Sequence, residues 1–316
     1  MEPSSDIKWD AVRVYTPQAG KHLGALHERL AAHRGAKYLT LPEGLLARFT
    51  PGERLALYAF TALLGLSMLA LLVGISKMIS VEVPADGGVL VEGETTPARF
   101  VNPILASSQA DQDISMLVYS GLLRALPDGS FALDLAESYA VSQDDTVYTF
   151  GLRKGATFHD GTPVSAADVL YTIALAQNPD VKSPRRADWE GVAVSSPDSR
   201  TIVFTLPHAY APFIENATLG ILPKHLWDKT PAADLPFSTL NTHPVGTGPF
   251  EISDVKTDGT GAVTRYDLAP FKDFALGRPH LSRITFLFFA NDEALLKAYG
   301  AETVNAIAGL APADLP

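Results

Sequence analysis

The sequence predicts a mixed α/β (α+β) domain preceded by one membrane-crossing helix. Three observations carry this. Residues 55–76 hold no charged side chain. Residues 138–173 read as strand, tight turn, strand, turn and capped helix. Further hairpins and strand–helix units follow to residue 299, a pattern of layered α/β or α+β folds and not of a closed barrel.

The 316 residues allow a large core and more than one domain. A formal charge of −10, from 25 Lys and Arg against 35 Asp and Glu, argues against nucleic acid as a partner. Cysteine is absent, which leaves the compartment open, because a large core needs no disulfides.

Residues 1–54 carry eight basic and six acidic side chains and read as a cytoplasmic N-terminal segment. Leu23, Leu26, Leu30 and Ala31 recur at helical spacing, consistent with a short amphipathic helix. His22, His27 and His33 fall on different faces of such a helix, the pattern of solvated histidines and not of a metal cluster. Pro42, Gly44, Pro51 and Gly52 break the segment. Residues 55–76 then offer roughly 33 Å of uncharged helix, enough to span the hydrocarbon core. Buried core helices of this length usually keep a polar face. A signal peptide does not fit 54 preceding residues and the lack of a small-residue cleavage site. Basic residues cluster before the span, so the N-terminus is expected in the cytoplasm and the rest outside. From Met78 onward, 16 basic residues face 29 acidic ones, which suits an exposed soluble domain.

Residues 77–87 read as a tether, and residues 89–91 as a first strand. Asn102-Pro103 opens a polar, small-residue loop over 106–110. A helix is expected from Asp111, with Ile114, Leu117, Val118, Gly121 and Leu122 on one stripe. Asp111 and Asp113 in its first turn suit the helix dipole better than acid–base catalysis. Pro127-Asp128-Gly129 makes a turn. Strands over 138–143 and 146–153 flank Asp144-Asp145, and Tyr148, Phe150 and Leu152 share a face that should be buried. Asp160-Gly161 turns the chain, and Ser165 with Asp168 forms a capping box opening a helix through Val169, Leu170 and Ile173.

Residues 177–186 read as a polar loop. A hairpin over 192–195 and 201–206 turns at Ser196-Pro197-Asp198-Ser199. Residues 211–216 and 224–227 read as short helical turns, and a second hairpin spans 245–255 and 262–268. Residues 284–289, ITFLFF, predict a strand buried on both faces, followed by a helix over 293–299.

Catalytic chemistry is thin. Gly246-Thr247-Gly248 lacks the third glycine of a dinucleotide loop, since Glu251 stands there. No GxSxG, HExxH or P-loop occurs. His159-Asp160 fits a turn before Gly161 and Pro163 better than a base with its orienting acid. Asn216-Ala217-Thr218 matches a glycosylation sequon, a pattern short enough to recur by chance. No catalytic residue, metal ligand or cofactor is therefore assigned.

LAESY, YTFGLRKGATFHDGTPVSAADV and HPVGTGPF, in that order, resemble the extracytoplasmic solute-binding proteins of peptide ABC transporters (family 5, the oligopeptide class). The resemblance runs from about Gly87 to the end of the chain. It implies a type II periplasmic-binding-protein fold whose two lobes close on a ligand. It also implies capture of oligopeptides outside the membrane and delivery to permease and ATPase subunits, without catalysis. Relatives that bind nickel chelates, haem or sugars keep a non-peptide solute open, as does reuse of the fold in a sensor or scaffold. By position from Asn102-Pro103, the ligand-facing segment falls at Ser107, Ser108 and Gln109. Arg185 stands where the peptide class has an aromatic contact. It reads either as a partner for a ligand carboxylate or as a solvated loop arginine. Family members continue past the segment resembling residues 294–310, so residues 88–316 are expected to be a first lobe, stopping before the second.

Overall fold

The computed structural model describes residues 49–79 and 85–310. The expectations for residues 1–48, the three histidines among them, for part of the tether and for residues 311–316 lie outside the described residues. The chain divides into two compact units between Glu82 and Val83.

In the first unit, α1 covers Pro51–Ile79. Its stretch Pro51–Ile75 is long and apolar enough to cross a membrane, and none of it is buried within the structure. Phe60 and Leu64 are 70% and 73% exposed. A helix that is apolar all round, with its side chains uncovered, suits lipid better than water.

The second unit is built on two sheets. The larger has strand order β11-β1-β10-β9-β8, with β1 at Val89–Glu94, β8 at Phe250–Thr257, β9 at Val263–Pro270, β10 at Arg283–Phe288 and β11 at Ala306–Ile307. β1 runs parallel to β10 and β11, while β9 is antiparallel to both β10 and β8. The smaller sheet is antiparallel, in order β4-β5-β7-β6, over Ala136–Val141, Val147–Leu152, Thr201–Thr205 and Ala193–Ser195. A two-stranded ribbon of β2, Leu123–Ala125, and β3, Phe131–Leu133, leads into it.

Alternation drives the smaller sheet. Tyr148, Phe150 and Leu152 are buried on one face of β5 while their neighbours are not. Phe150 packs edge-on against Phe204 of β7, which meets Trp189 and Phe213 in an aromatic cluster. Helix α3, Ala166–Gln177, starts at a capping box between Ser165 and Asp168. The Asp168 carboxylate also accepts the amide of Lys224, which ties α3 to the turn opening α5, Lys224–Trp227.

Several boundaries differ from the sequence reading, each for a local reason. Helix α2 covers Gln109–Val118, two residues earlier than expected, because Ser108 is the N-cap and Asp111 its reciprocal partner. It stops before Gly121 and Leu122, because Tyr119 turns extended at φ −119°. β8 starts at Phe250 instead of 245, since residues 244–249 pack against α2. The expected loop over 177–186 begins with Gln177 still helical, its side-chain amide donating to the carbonyls of Trp189 and Val192. β10 is buried at Ile284, Thr285 and Phe286 only. Its polar member is accounted for, because the Thr285 hydroxyl donates to Asp267 at 2.6 Å. Helix α4, Phe213–Asn216, and helix α6, Asp292–Gly300, complete the unit.

Candidate functional site

The segment between β1 and α2 is held by buried polar side chains. Asn102 donates from Nδ2 to Asn241 Oδ1 at 3.1 Å, and its own Oδ1 accepts the amide of Ile104. Asp111, 2% exposed, does more than complement a helix dipole. Its Oδ1 accepts the amides of Arg99 and Phe100 at 2.7 and 2.8 Å, and its Oδ2 those of Ser107 and Ser108 at 3.4 and 3.2 Å. One carboxylate thus folds the loop back onto the helix it precedes.

Within that frame, Ser107 is exposed, Ser108 is committed to the cap, and Gln109 donates to Asp113 at 2.7 Å. Ser183 brings the second expected segment alongside. Its hydroxyl donates to the carbonyl of Ile104 at 2.6 Å and accepts the amide of Arg185 at 3.1 Å.

A cavity of about 530 Å³ opens between the exposed face of α2, the β2–β3 ribbon and the segments around Arg185 and Tyr210. Ala106, Gln112, Met116 and Tyr119 form one wall. Arg185 lines the cavity as well; Ser107, Ser108 and Gln109 do not. Arg185 lies 3.9 Å from Asp188, with both side chains more than two-fifths exposed, so this loose pair leaves the guanidinium available to another anion. Arg124, Asp134, Asp188 and Glu215 make the walls mixed in sign. Burial pushes Asp134 up to about 6, opposed by the Ser120 hydroxyl and the charges of Arg124 and Arg153. Burial likewise raises Tyr119. The Tyr119 hydroxyl and Asp134 Oδ1 have no hydrogen-bond partner among the described residues. Tyr119, Trp189 and Tyr210 escaped the sequence reading, because the wall joins segments far apart in the chain and no local pattern marks them.

His159 is placed as a clamp. Its Nδ1 accepts the amide of Gly246 at 3.2 Å, and Nε2–H donates to the carbonyl of Gly248 at 3.1 Å, which requires a neutral ring. Burial holds its pKa down at about 4. Its neighbour Asp160 pairs instead with His225 at 2.7 Å. Neither imidazole bonds a hydroxyl nucleophile. Asn216, the sequon residue, spends its amide on the carbonyl of Asp188 at 2.6 Å. Among the described residues no three His, Cys, Asp or Glu converge to hold a metal ion.

The folded unit matches solved binding proteins. The oligopeptide-binding protein AppA of Bacillus subtilis, in complex with a nonapeptide, superposes with a TM-score of 0.65 at 28% identity, over 71% of this chain and 44% of that one. NikZ from Campylobacter jejuni, in complex with Ni(L-His), gives 0.62 at 27%, over 69% and 43%. These likenesses define the class as the type II periplasmic-binding-protein fold. By sequence, the chain is similar to AppA of Bacillus subtilis (29% identity, 70% of this chain, 41% of AppA). It is also similar to the glutathione-binding protein GsiB of Salmonella choleraesuis (31%, 59% and 35%). A model described as "Bacterial extracellular solute-binding proteins, family 5 Middle" matches residues 130–316, and the chain belongs to that family. It spans less than half the length of these relatives.

Proposed function

We propose that this chain is the membrane-anchored substrate-binding component of an ABC importer, capturing oligopeptides outside the membrane for permease and ATPase subunits. The observation that carries the reading is the cavity beside α2, whose lining includes Arg185 together with Tyr119 and Asp134, each of which keeps a buried polar atom without a partner among the described residues. Such a wall suits a ligand that brings its own backbone donors and acceptors and a terminal carboxylate. Residues 88–316 act as the first lobe, one wall of a cleft, and the further length of the relatives corresponds to the facing wall. Helix α1 anchors the lobe, with residues 1–54 in the cytoplasm and residues 77–87 as tether.

Calorimetry of the full chain in detergent micelles with a pool of pentapeptides tests the binding. Measurable heat that disappears on competition with a single member supports it; no binding at any concentration sinks it. Protease added to intact cells should remove residues 89–316 and spare an N-terminal tag, and loss of the tag overturns the topology. A second reading, a non-peptide solute, is favoured by the Ni(L-His) complex of NikZ, which shares the fold. Preferential binding of a histidine chelate over the peptide pool selects that alternative.

A further inference from the structure

Strand β1 of the larger sheet ends in an arrangement that the cavity beside α2 leaves unused. Register pairs Glu92 with Phe286 and Glu94 with Phe288 across β1 and β10, and Phe286 with Tyr266 across β10 and β9. Residues paired directly share a sheet face, so Glu92, Glu94 and Tyr266 look the same way. The Tyr266 and Phe288 rings meet edge to face at 6.3 Å. Glu94 is 2% exposed and Tyr266 fully buried, and neither Glu94 Oε1 nor the Tyr266 hydroxyl has a hydrogen-bond partner among the described residues. Two orphaned polar atoms on adjacent registers of one face are unusual, because such atoms are nearly always satisfied.

The first turn of α2 is tied to this edge, since Asp111 grips the amides of Arg99 and Phe100 in the loop that leaves β1. Every charge felt there is negative. Burial first, then Asp113, Glu92 and Asp111, push Glu94 up to about 8, and burial with Asp113 raises Glu92 as well. None of the ion pairs among the described residues brings a Lys, Arg or His to Glu92, Glu94 or Asp113. The location is the carboxyl end of a parallel strand pair, where open α/β sheets hold their ligands. Ser107, Ser108 and Gln109 lie at the same end of α2.

We propose that this rim is a subsite for a positively charged organic group of the solute, an ammonium or guanidinium, with Glu94 as its buried acceptor and the half-exposed Glu92 and Asp113 at its entry. The inference rests on the solute-receptor reading and narrows it to cationic peptides or amines. An arriving cation pairs with the Glu94 carboxylate, and the proton that Glu94 held passes to the buffer. Binding near pH 7 therefore releases protons.

The test uses the full chain in detergent micelles, titrated calorimetrically at pH 7 with Ala-Lys-Ala and with Ala-Leu-Ala. Two buffers of contrasting ionisation enthalpy count the protons released. The lysine peptide should bind at least tenfold tighter and release protons, and Glu94→Gln should abolish both effects. If Glu94→Gln fails to fold by circular dichroism, Asp113→Asn, on the helix surface, serves instead and should cut the preference several-fold. Equal affinity for the two peptides refutes the subsite and leaves the receptor reading standing. Retention of the preference in the variants also refutes it. If neither peptide binds, the receptor reading fails and the subsite with it.

Discussion

Gly246 meets the end of α2 at Val118 with no room for a side chain. A Cβ on Gly246 would stand 2.8 Å from the Val118 carbonyl carbon and closer still to its oxygen. Gly248, two residues on, donates its amide to the same oxygen at 2.8 Å. The glycines of HPVGTGPF thus serve close backbone approach and not phosphate binding. Gly246→Ala should destabilise the second unit by about 3 kcal/mol, the upper range for overpacking against rigid backbone. Urea unfolding checks this, and a shift under 1 kcal/mol would show that the loop yields freely.

His159 pins that loop from the other side, and only as a neutral ring. Its folded pKa of about 4 lies below the ordinary 6.5, so the unfolded chain takes up the proton first as pH falls. The stability it contributes is complete above about pH 6.5 and is lost as pH drops through 4. His159→Gln should lower the thermal midpoint at pH 7 by a few degrees and flatten its decline between pH 6.5 and 4. A variant with the same pH slope as the parent would disprove the assignment.

Asp111→Ala should be among the most damaging single changes in α2, because this carboxylate is buried. It removes the acceptor for the amides of Arg99, Phe100, Ser107 and Ser108 and half of the capping box. The cost expected is roughly 3 kcal/mol or more, from a lost cap and stranded buried donors. Asp111→Asn, which keeps acceptor capacity on one oxygen only, should lie between. Equal stability of all three proteins in urea would count against this role.

Arg185 should behave differently, since it is exposed and only loosely paired. Arg185→Ala should leave the unfolding midpoint within about 0.5 kcal/mol of the parent. Affinity for peptides with a free carboxyl terminus should fall about tenfold, the loss of one charge-assisted bond. Amidated peptides should be indifferent to the change. Parallel calorimetry of the two peptide forms separates these outcomes.

What was legible in the sequence was local. The alternation of Tyr148, Phe150 and Leu152 marked β5 and its buried face, and Ser165 with Asp168 marked the start of α3. The helical turn at Lys224–Trp227 was placed to the residue. The larger sheet was harder to read. Four of its five strands, all but β11, are anticipated singly, but nothing local states that Val89 pairs with Arg283. Asp111 looked like a dipole complement, because its other bonds reach the loop of residues 99 and 100, which no helical spacing reveals. Of the residues lining the cavity, the sequence singles out only Arg185 as a ligand contact, and that through the family resemblance; the aromatic members sit on segments that meet only in the folded chain.

The pairing of β1 also fixes an order of assembly. The strand is synthesised early, yet both its neighbours come from the far end of the chain: Asn305, bonded to Val91, is 214 residues away. The most distant partners in the smaller sheet, Val147 and Thr205, are 58 residues apart (205 − 147), and all its strands are present by Thr205. Closing long loops slows folding, so the smaller sheet should form while β1 still has exposed edges. A chain emerging from the ribosome at about 5–20 residues per second leaves β1 unpaired for some ten seconds or more. Throughout that interval its bare edges are a template for the wrong strand.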